Sequence, residues 1–472
     1  MKQLKWYLGV ILCLMPVVSV AAEYSIDSAT YLQFQQNAAP GFDKKFQAPA
    51  TQYVTIDATK LGVDGLSLHF YGWGSATMGS VIGDENRYDG NLTYFYLNYR
   101  LPMNNAQIKA GRFFVTEGME FNQVDGVSFR TDLPAGFTAT LYGGAPSKLD
   151  YQSSDFYRNQ NWVGGQAGNH NNTGNWIVGG RVSNRIAGLM ELGVSALYES
   201  GLGDITTMGA DPAIVTSQHN FRQLVGGDVW LSPVKMVEIT GHTNYNTTTS
   251  GIAENSYLLK VTPLQTFSVA GDYSDQNPSS YFSTTNLPSL FTPSQNDKFR
   301  RYGGMVTATP YKNLELSADF HHYTRNQKWV PLADGGLYRE YGNSNRYGVD
   351  VRMNFDENKA RTGFSIHRVD GPNSSLSYNE LRGYAMYDAH AYVLSFDAIG
   401  QFYDAAINSS LVAGNGTTTA YELLLSAGYR FTPHLLLSGD ISYGQNPEYS
   451  TEVKGLVKLV YNFTSAGKGT QK

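Results

Sequence analysis

Apolar and polar residues alternate along most of this chain, and a segment near the C-terminus is a clear example. Within residues 454–463, every second position is apolar, aromatic or glycine: Gly455, Val457, Leu459, Tyr461 and Phe463. The positions between them include Lys454, Lys458 and Asn462. A period of two places successive side chains on opposite faces of a β-strand. The segment is therefore predicted to be a strand with one apolar face and one polar face.

The same alternation recurs in segments of about ten residues, which is the length that a tilted strand needs to cross a bilayer. The pattern predicts about 22 such strands, with 20 or 24 as alternatives. They lie near residues 24–35, 50–60, 65–73, 90–100, 105–114, 121–132, 136–145, 175–184, 189–199, 220–231, 235–246, 252–262, 265–274, 298–308, 313–323, 343–355, 358–369, 376–387, 390–403, 419–431, 434–445 and 451–463.

Short connections alternate with long ones between these segments. The short ones include 101–105 and 355–359, and the long ones, which are rich in Gly and Asn, include 146–174, 200–219 and 275–297. Outer-membrane barrels have short periplasmic turns and longer external loops. Because a membrane leaves no backbone polar group unpaired, such a sheet must close on itself. The predicted fold class is an all-β, single transmembrane antiparallel β-barrel in the outer membrane, with apolar faces toward lipid and polar faces toward the lumen.

Three soluble architectures compete with this interpretation. A β-propeller or β-helix would show a repeat of blade length, and the sequence shows none. A two-sheet sandwich of this size would need several domains joined by linkers, and no linker is visible.

Composition supports an unusual surface. The chain has 472 residues, with 49 Gly, 33 Tyr and only 16% charged residues, against roughly 25% in soluble domains. Mean hydropathy is -0.31, which does not fit a helical membrane protein. The net charge of -5 is spread along the chain without a basic block, so no nucleic-acid partner is expected.

The N-terminus has the pattern of a secretory signal peptide. Lys2 and Lys5 precede an apolar core, and small residues lead to a predicted cleavage before Glu23. The predicted organisation is a signal peptide at 1–22, a barrel at 23–463 and a short periplasmic tail at 464–472. Cys13, the only cysteine, lies in the signal peptide. The mature chain then has no thiol for a disulfide or for covalent haem attachment.

Catalytic signatures are missing from the sequence. It contains no G-x-S-x-G elbow, no P-loop and no H-E-x-x-H pair. His321 and His322 are adjacent, so on a strand they face opposite sides and do not share a metal. We therefore expect no enzyme activity, no cofactor and no metal, although an outer-membrane enzyme or adhesin remains a third alternative for function.

The polar faces supply the candidate pore-lining residues. They are Arg346, Asp350, Arg352, Lys359, Arg361, His367, Glu422, Arg430, Asp440 and Lys458. The first six fall on two consecutive strands and would form a locally basic ladder. Over the whole lumen, cations and anions nearly balance, so most are expected to pair across strands in a polar wall. No ring of one sign is present to set ion selectivity.

The loop 146–174 is the candidate constriction of the lumen. It carries four aromatic residues among Gly and Asn: Tyr151, Phe156, Tyr157 and Trp162. An external loop that stays outside the lumen is the alternative. Barrels of this width often contain a plug, but strand-like sequence begins directly after the predicted cleavage site, so no separate plug domain is expected.

Several stretches resemble known outer-membrane families. The alternating end "KGLVKLVYNF" (454–463) is similar to the C-terminal signal of outer-membrane barrel proteins, which implies the barrel assembly machinery as a partner. It differs in the tail that follows Phe463. The pieces "AGRFF" (110–114), "VDGVSFR" (124–130) and "LYGGAP" (141–146) resemble porin-like outer-membrane channels. A weaker resemblance is to the barrel component of porin–cytochrome electron conduits, which would imply a multihaem cytochrome in the lumen.

These observations lead to two main expectations for function. The first is a porin-like channel for passive passage of small solutes or ions, surrounded by outer-membrane lipid. The alternative is a barrel sheath that houses a partner such as a periplasmic or lumenal cytochrome.

Overall fold

The computed structural model describes most of the barrel and part of its connections. The described residues are 21–36, 46–79, 87–103, 105–116, 118, 122–147, 176–200, 204–208, 215–219, 222–248, 250–276, 299–325, 342–372, 374–405, 417–446 and 449–465.

Twenty-four strands are present in these residues. They are β1 (Ala21–Gln36), β2 (Phe46–Leu61), β3 (Leu66–Gly79), β4 (Tyr88–Arg100), β5 (Ala106–Val115), β6 (Asn122–Asp132), β7 (Phe137–Pro146), β8 (Ile177–Ile186), β9 (Met190–Glu199), β10 (Asp204–Met208), β11 (Val215–His219), β12 (Arg222–Val234), β13 (Val237–Asn246), β14 (Gly251–Leu264), β15 (Phe267–Gln276), β16 (Phe299–Tyr311), β17 (Leu314–Arg325), β18 (Ser344–Phe355), β19 (Ala360–Asp370), β20 (Tyr378–Asp388), β21 (Tyr392–Tyr403), β22 (Thr419–Thr432), β23 (Leu435–Asn446) and β24 (Tyr449–Ser465).

Twenty-two of these described strands form one closed antiparallel sheet, which confirms the predicted fold class and strand number. Each barrel strand pairs with its neighbours in sequence, and β9 pairs with β12. The barrel closes where β24 pairs with β1, with Phe463 opposite Ile26. The remaining two strands, β10 and β11, pair only with each other. This hairpin lies within 200–219, where the sequence predicts a loop.

The faces of the strands follow the alternation in the sequence. On β24 the apolar set Val457, Leu459 and Tyr461 is exposed on the outside of the barrel. Side chains of this kind are exposed around most of the circumference, with Leu141, Val194 and Phe364 as examples on other strands. A continuous apolar exterior of this kind suits the hydrocarbon of a bilayer. No helix in the described part of the chain is long and apolar enough to span a membrane.

The ends of the barrel lie close to the predicted boundaries. β1 begins at Ala21, two residues before the predicted cleavage site, and β24 continues through Ser465. The cleavage remains a prediction, because residues 1–20 lie outside the described part of the chain, as do residues 466–472 of the predicted tail.

Part of the inner face is apolar, which the sequence analysis does not predict. Near the external ends of β5 to β14, a cluster of inward-facing residues is buried: Phe113, Val115, Val124, Tyr142, Ile177, Leu197, Leu224 and Ala253. Their neighbours of opposite parity, such as Val178 and Val225, are exposed to the outside. Strands with apolar residues on both faces carry no simple alternation, so the sequence pattern alone does not separate inside from outside there.

Candidate functional site

Ion pairs between neighbouring strands cover much of the inner wall. Among the predicted pore-lining residues, Arg346 lies 3.0 Å from Asp319 and Arg352 lies 3.2 Å from Glu315. The predicted basic ladder on β18 and β19 is therefore largely neutralised by carboxylates of β17. This is the cross-strand pairing that the balance of charges leads us to expect.

The other three basic residues of the predicted ladder lie in different surroundings. Lys359 lies in the turn before β19, outside the strands, where its ammonium is 3.6 Å from Asp356. The strand predicted at 358–369 thus begins at Ala360, because the turn at 356–359 interrupts the alternation. Arg361 lies at the start of β19 opposite Asn354, and His367 is buried against the acidic residues described below.

The second predicted group comes from the C-terminal strands. Arg430 donates hydrogen bonds to Asp388 and to the carbonyl of Ala389, at 2.6 and 2.9 Å, near the periplasmic end of β22. Glu422 lies opposite Gly444 on β23. Asp440 accepts a hydrogen bond from Ser426 and lies apart from Arg430, nearer the middle of the barrel.

A recess in the inner wall brings Asp440 together with residues outside the predicted pore-lining set. It has a volume of about 770 Å³ and lies where β22, β23 and β24 meet β1, β2 and β3. Its lining includes Asp27, Tyr31, Gln33, Thr51, Tyr53, Tyr71, Asp440, Lys454 and Asn462. Its size and its mixture of aromatic surface with a few polar groups are typical of a small-molecule site.

A row of tyrosine rings extends from this recess across four strands. The ring centroids are 5.5 Å apart between Tyr31 and Tyr53, 6.3 Å between Tyr53 and Tyr71, and 5.6 Å between Tyr71 and Tyr94. Tyr96 continues the row at 5.8 Å. Aromatic pairs at these separations stabilise one another beyond the area that they bury.

Lysines lie at both ends of the tyrosine row. The ammonium of Lys458, a predicted pore-lining residue, lies 5.5 Å from the centre of the Tyr31 ring, and that of Lys109 lies 5.8 Å from the Tyr96 ring. Both distances are within the range of cation–π attraction. Lys458 is thus placed on the lumen wall beside the recess.

On the other side of the barrel, the inner wall is covered. Gly118 belongs to the β5–β6 loop and has a φ of +92°. A Cβ at this position would overlap the Ser195 hydroxyl on β9 and would lie 3.5 Å from Cδ of Arg181 on β8. Gly118 therefore lies against the inner wall. The predicted constriction residues Tyr151, Phe156, Tyr157 and Trp162 lie outside the described residues.

A chain of histidines and aspartates crosses the wall from β15 to β19. His321 contacts Asp272 at 2.8 Å and Asp319 at 3.2 Å. Asp319 in turn lies 3.1 Å from His367, which is 3.7 Å from Asp350. His367 and Asp350 are among the predicted pore-lining residues, whereas Asp319, which contacts His367, is not.

The two adjacent histidines take opposite sides of β17, as the strand period predicts. His321 faces the lumen cluster, whereas the Nδ1 atom of His322 lies 2.7 Å from the side chain of Asn345. Among the described residues, the two imidazoles have no hydrogen-bond partner in common.

No protein-family model matches this sequence, and no curated protein sequence matches it. Solved structures do match in fold. A mutant of the ferric enterobactin receptor PfeA from Pseudomonas aeruginosa has a TM-score of 0.57 at 11% identity, over 94% of this chain and 81% of the receptor. The siderophore receptor PirA from the same organism gives 0.56 at 12% identity, over 93% and 80%. PirA from Acinetobacter baumannii gives 0.53 at 10% identity, over 93% and 80%.

At these identities the likeness establishes the fold and no more. The sheet is closed, its exterior is apolar and its inner wall is largely polar, as a barrel that spans a bilayer requires. The chain is an outer-membrane β-barrel.

Proposed function

We propose that this barrel is a channel for passive passage of small polar solutes across the outer membrane. The observation that carries the proposal is the recess beside the tyrosine row, halfway along the polar inner wall. A wall with paired charges and a few polar groups allows solutes to bind weakly and leave again, which conduction requires. The proposal assigns no catalytic step to the protein.

The path of the solute follows from the asymmetry of the lumen. The wall from β5 to β14 carries the buried apolar cluster, and Gly118 lies against it. The wall from β22 through β4 carries the recess, the tyrosine row and Lys458. A polar solute that passes along the second wall avoids contact with apolar side chains. Such contact would remove water from its polar groups without replacing the lost hydrogen bonds, which raises its free energy.

The aromatic row also bears on the kind of solute. Tyrosine rings supply flat apolar surface together with hydroxyl groups, and Asp27, Asp440 and Lys454 add charge at the edges of the recess. This combination suits compact organic solutes that have both polar groups and an apolar face. Inorganic ions would pass the same wall without stacking on it.

Conductance of the purified barrel in a planar lipid bilayer tests the proposal. We expect steady open channels, with transient blocking when a permeant organic solute is added. Tyr53→Ala should weaken the blocking and leave the open conductance, whereas Phe364→Ala, on the lipid face, should change neither.

A folded barrel that conducts nothing would contradict the proposal. If a haem protein co-purified with such a closed barrel, the sheath alternative would replace it. Folding of each preparation is checked by the shift in gel migration on heating, so that a silent channel is not confused with an unfolded one.

A further inference from the structure

A compact cluster on the inner wall lies apart from the recess and plays no part in the proposed passage. Three adjacent strands, β17, β18 and β19, each supply one side chain to it: Asp319, Asp350 and His367. One potential ligand atom from each lies within 4.8 Å of the others. The Nε2 atom of His367 is 3.1 Å from Oδ1 of Asp319 and 3.7 Å from Oδ2 of Asp350.

These separations fit the ligand atoms of a metal ion. Nitrogen and carboxylate oxygen bind a tetrahedral metal at about 2.0–2.2 Å, so two such ligands lie roughly 3.3–3.6 Å apart. The two distances from Nε2, 3.1 and 3.7 Å, lie on either side of that range. The third pair of ligand atoms, on Asp319 and Asp350, lies within 4.8 Å.

The backbone leaves room for the imidazole. Gly348 on β18 is directly opposite His367 on β19, and a Cβ at Gly348 would overlap the imidazole ring and the carbonyl of Ile366. The His367 side chain is 5% exposed and that of Asp319 is 7% exposed. Nδ1 of His367 has no hydrogen-bond partner among the described residues, so its polar contacts there are through Nε2, the atom that faces both carboxylates.

Neighbouring groups hold Asp319 in position. Its Oδ2 atom accepts a hydrogen bond from Arg346 at 3.0 Å and lies 3.2 Å from Nδ1 of His321. Its Oδ1 atom contacts only His367 in the described part of the chain. This division, in which one oxygen is fixed by outer groups and the other points at the remaining ligands, is how metal sites orient their carboxylates.

The local charge also favours a cation. Four carboxylates lie on this part of the wall, because Glu380 on β20 is directly opposite His367. Two guanidinium groups contact two of the others: Arg346 contacts Asp319, and Arg301 contacts Asp272 at 2.9 Å. The carboxylates therefore outnumber the guanidinium groups that contact them, and a divalent cation would offset the excess negative charge.

We propose that Asp319, Asp350 and His367 form a binding site for a divalent transition metal of the Zn²⁺ type on the lumen wall. One imidazole with two carboxylates matches the preference of such metals, whereas Mg²⁺ and Ca²⁺ prefer all-oxygen sites with more ligands. The site is independent of the proposed channel function.

Calorimetric titration of Zn²⁺ into the chelator-treated, detergent-purified full chain tests this site. We expect one tight equivalent in the wild type, and none in His367→Ala. Asp350→Asn, which preserves shape, should weaken the affinity at least tenfold. Gly348→Ala keeps all three ligands but displaces the imidazole, and should weaken the affinity as well.

His242→Ala is the matched control. His242 also faces the lumen, 3.5 Å from Glu254, but it belongs to no group of three potential metal ligands among the described residues, so its removal should leave the tight equivalent intact. An excess of Mg²⁺ should not compete with Zn²⁺ for the site.

Two results would overturn the proposal. If the wild type and the His367 and Asp350 variants bound Zn²⁺ equally well, the metal would be an adventitious ion only. If the wild type bound no Zn²⁺, the cluster would be a hydrogen-bonded network without a metal. Heat-dependent gel migration confirms that each variant is folded, and the Asp350→Asn and Gly348→Ala variants decide the matter if His367→Ala does not fold.

Discussion

Arg181 holds two acidic side chains at the inner wall. Its guanidinium lies 2.6 Å from Asp228 and 3.1 Å from Glu191, and its side chain is 14% exposed. Arg181→Met would leave both carboxylates without this partner in a half-buried site. We expect the free energy of unfolding to fall by about 1–3 kcal/mol, less than for a fully buried pair because the lumen partly screens the charges. Urea unfolding in detergent measures the change.

Arg185→Met is the control for this prediction. Arg185 lies 3.9 Å from the same Glu191, but its side chain is 66% exposed. The loss should stay within about 0.5 kcal/mol. Equal losses for the two variants would show that the pairs at Arg181 contribute no more than a surface contact.

Asp404 gives a prediction about pH. It lies in the β21–β22 loop, outside the strands, and accepts two hydrogen bonds from Arg368 at 2.7 and 2.5 Å. These bonds lower the pKa of the Asp404 carboxyl from its usual 3.8. Because the folded pKa is below the unfolded one, the stabilisation is present above about pH 4 and is lost as the pH falls through the folded pKa.

The pH dependence is measured by comparing wild type with Asp404→Asn. The wild type should be more stable at neutral pH, and the difference should shrink once the pH falls below about 4. In an Arg368→Gln background, Asp404→Asn should have no pH-dependent effect. A difference that persisted in that background would exclude Arg368 as the cause.

Contacts between residues of different strands are not predicted by the alternation in the sequence. The alternation places His367 and Asp350 on the inner face, but it does not reveal that Asp319, on a third strand, completes their cluster. The contact depends on the register between β17, β18 and β19, in which Asp350 is opposite Ser317 and His367 is opposite Gly348. The tyrosine row is hidden for the same reason, because each strand contributes one or two of its rings.

At the scale of one element, β24 has two faces that tolerate charge differently. Val457, at the middle of the strand, faces lipid, and Leu456 lines the recess. Val457→Arg should lower the free energy of unfolding by roughly 2–4 kcal/mol, the cost of a charge near the bilayer midplane, whereas Leu456→Arg should cost much less. Reversible unfolding in lipid vesicles compares the two variants. If Leu456→Arg were the more harmful, the assignment of faces would be wrong.

The β5–β6 loop gives a second prediction for an element. Gly118→Val would force the loop away from Ser195 and Arg181, so the single-channel conductance should increase. Gly188→Val is the matched control. Gly188 also has a positive φ, at +75°, but a Cβ there would meet nothing within 4 Å. The Gly188→Val variant therefore has the backbone strain without a steric overlap. A conductance increase in both variants would argue against the view that the β5–β6 loop narrows the lumen.

The predicted elements succeed or fail according to how local their signal is. All 22 barrel strands are found near their predicted positions, because a period of two is visible within each segment. The β10–β11 hairpin is missed, because "DITTM" and "VTSQH" (204–208 and 215–219) carry no apolar face. Lys359 lies in a turn rather than at the start of the predicted strand, because the alternation in the sequence continues through that turn.

For the whole molecule, closure creates a lumen with two unlike sides. One side is packed by apolar residues and the β5–β6 loop, and the other is open, polar and aromatic. The alternation predicts that the sheet closes and which face is wet, but not this asymmetry, because it arises from residues of many strands meeting at one end of the barrel. The proposed path of a solute therefore depends on the assembled barrel rather than on any one strand.

Charge pairing across this lumen leads to a last prediction, on ion selectivity. Most described lumen cations contact a carboxylate, so a salt gradient across the channel should produce only a small reversal potential. Asp27 is a lumen carboxylate that is not paired in this way. It lines the recess and has no ion-pair partner among the described residues. Asp27→Asn should therefore shift permeability toward anions. Asp125→Asn, which removes the partner of Arg112 at 2.7 Å on the outer face, should not. Strong cation selectivity that survived Asp27→Asn would mean that some other group sets the potential of the channel.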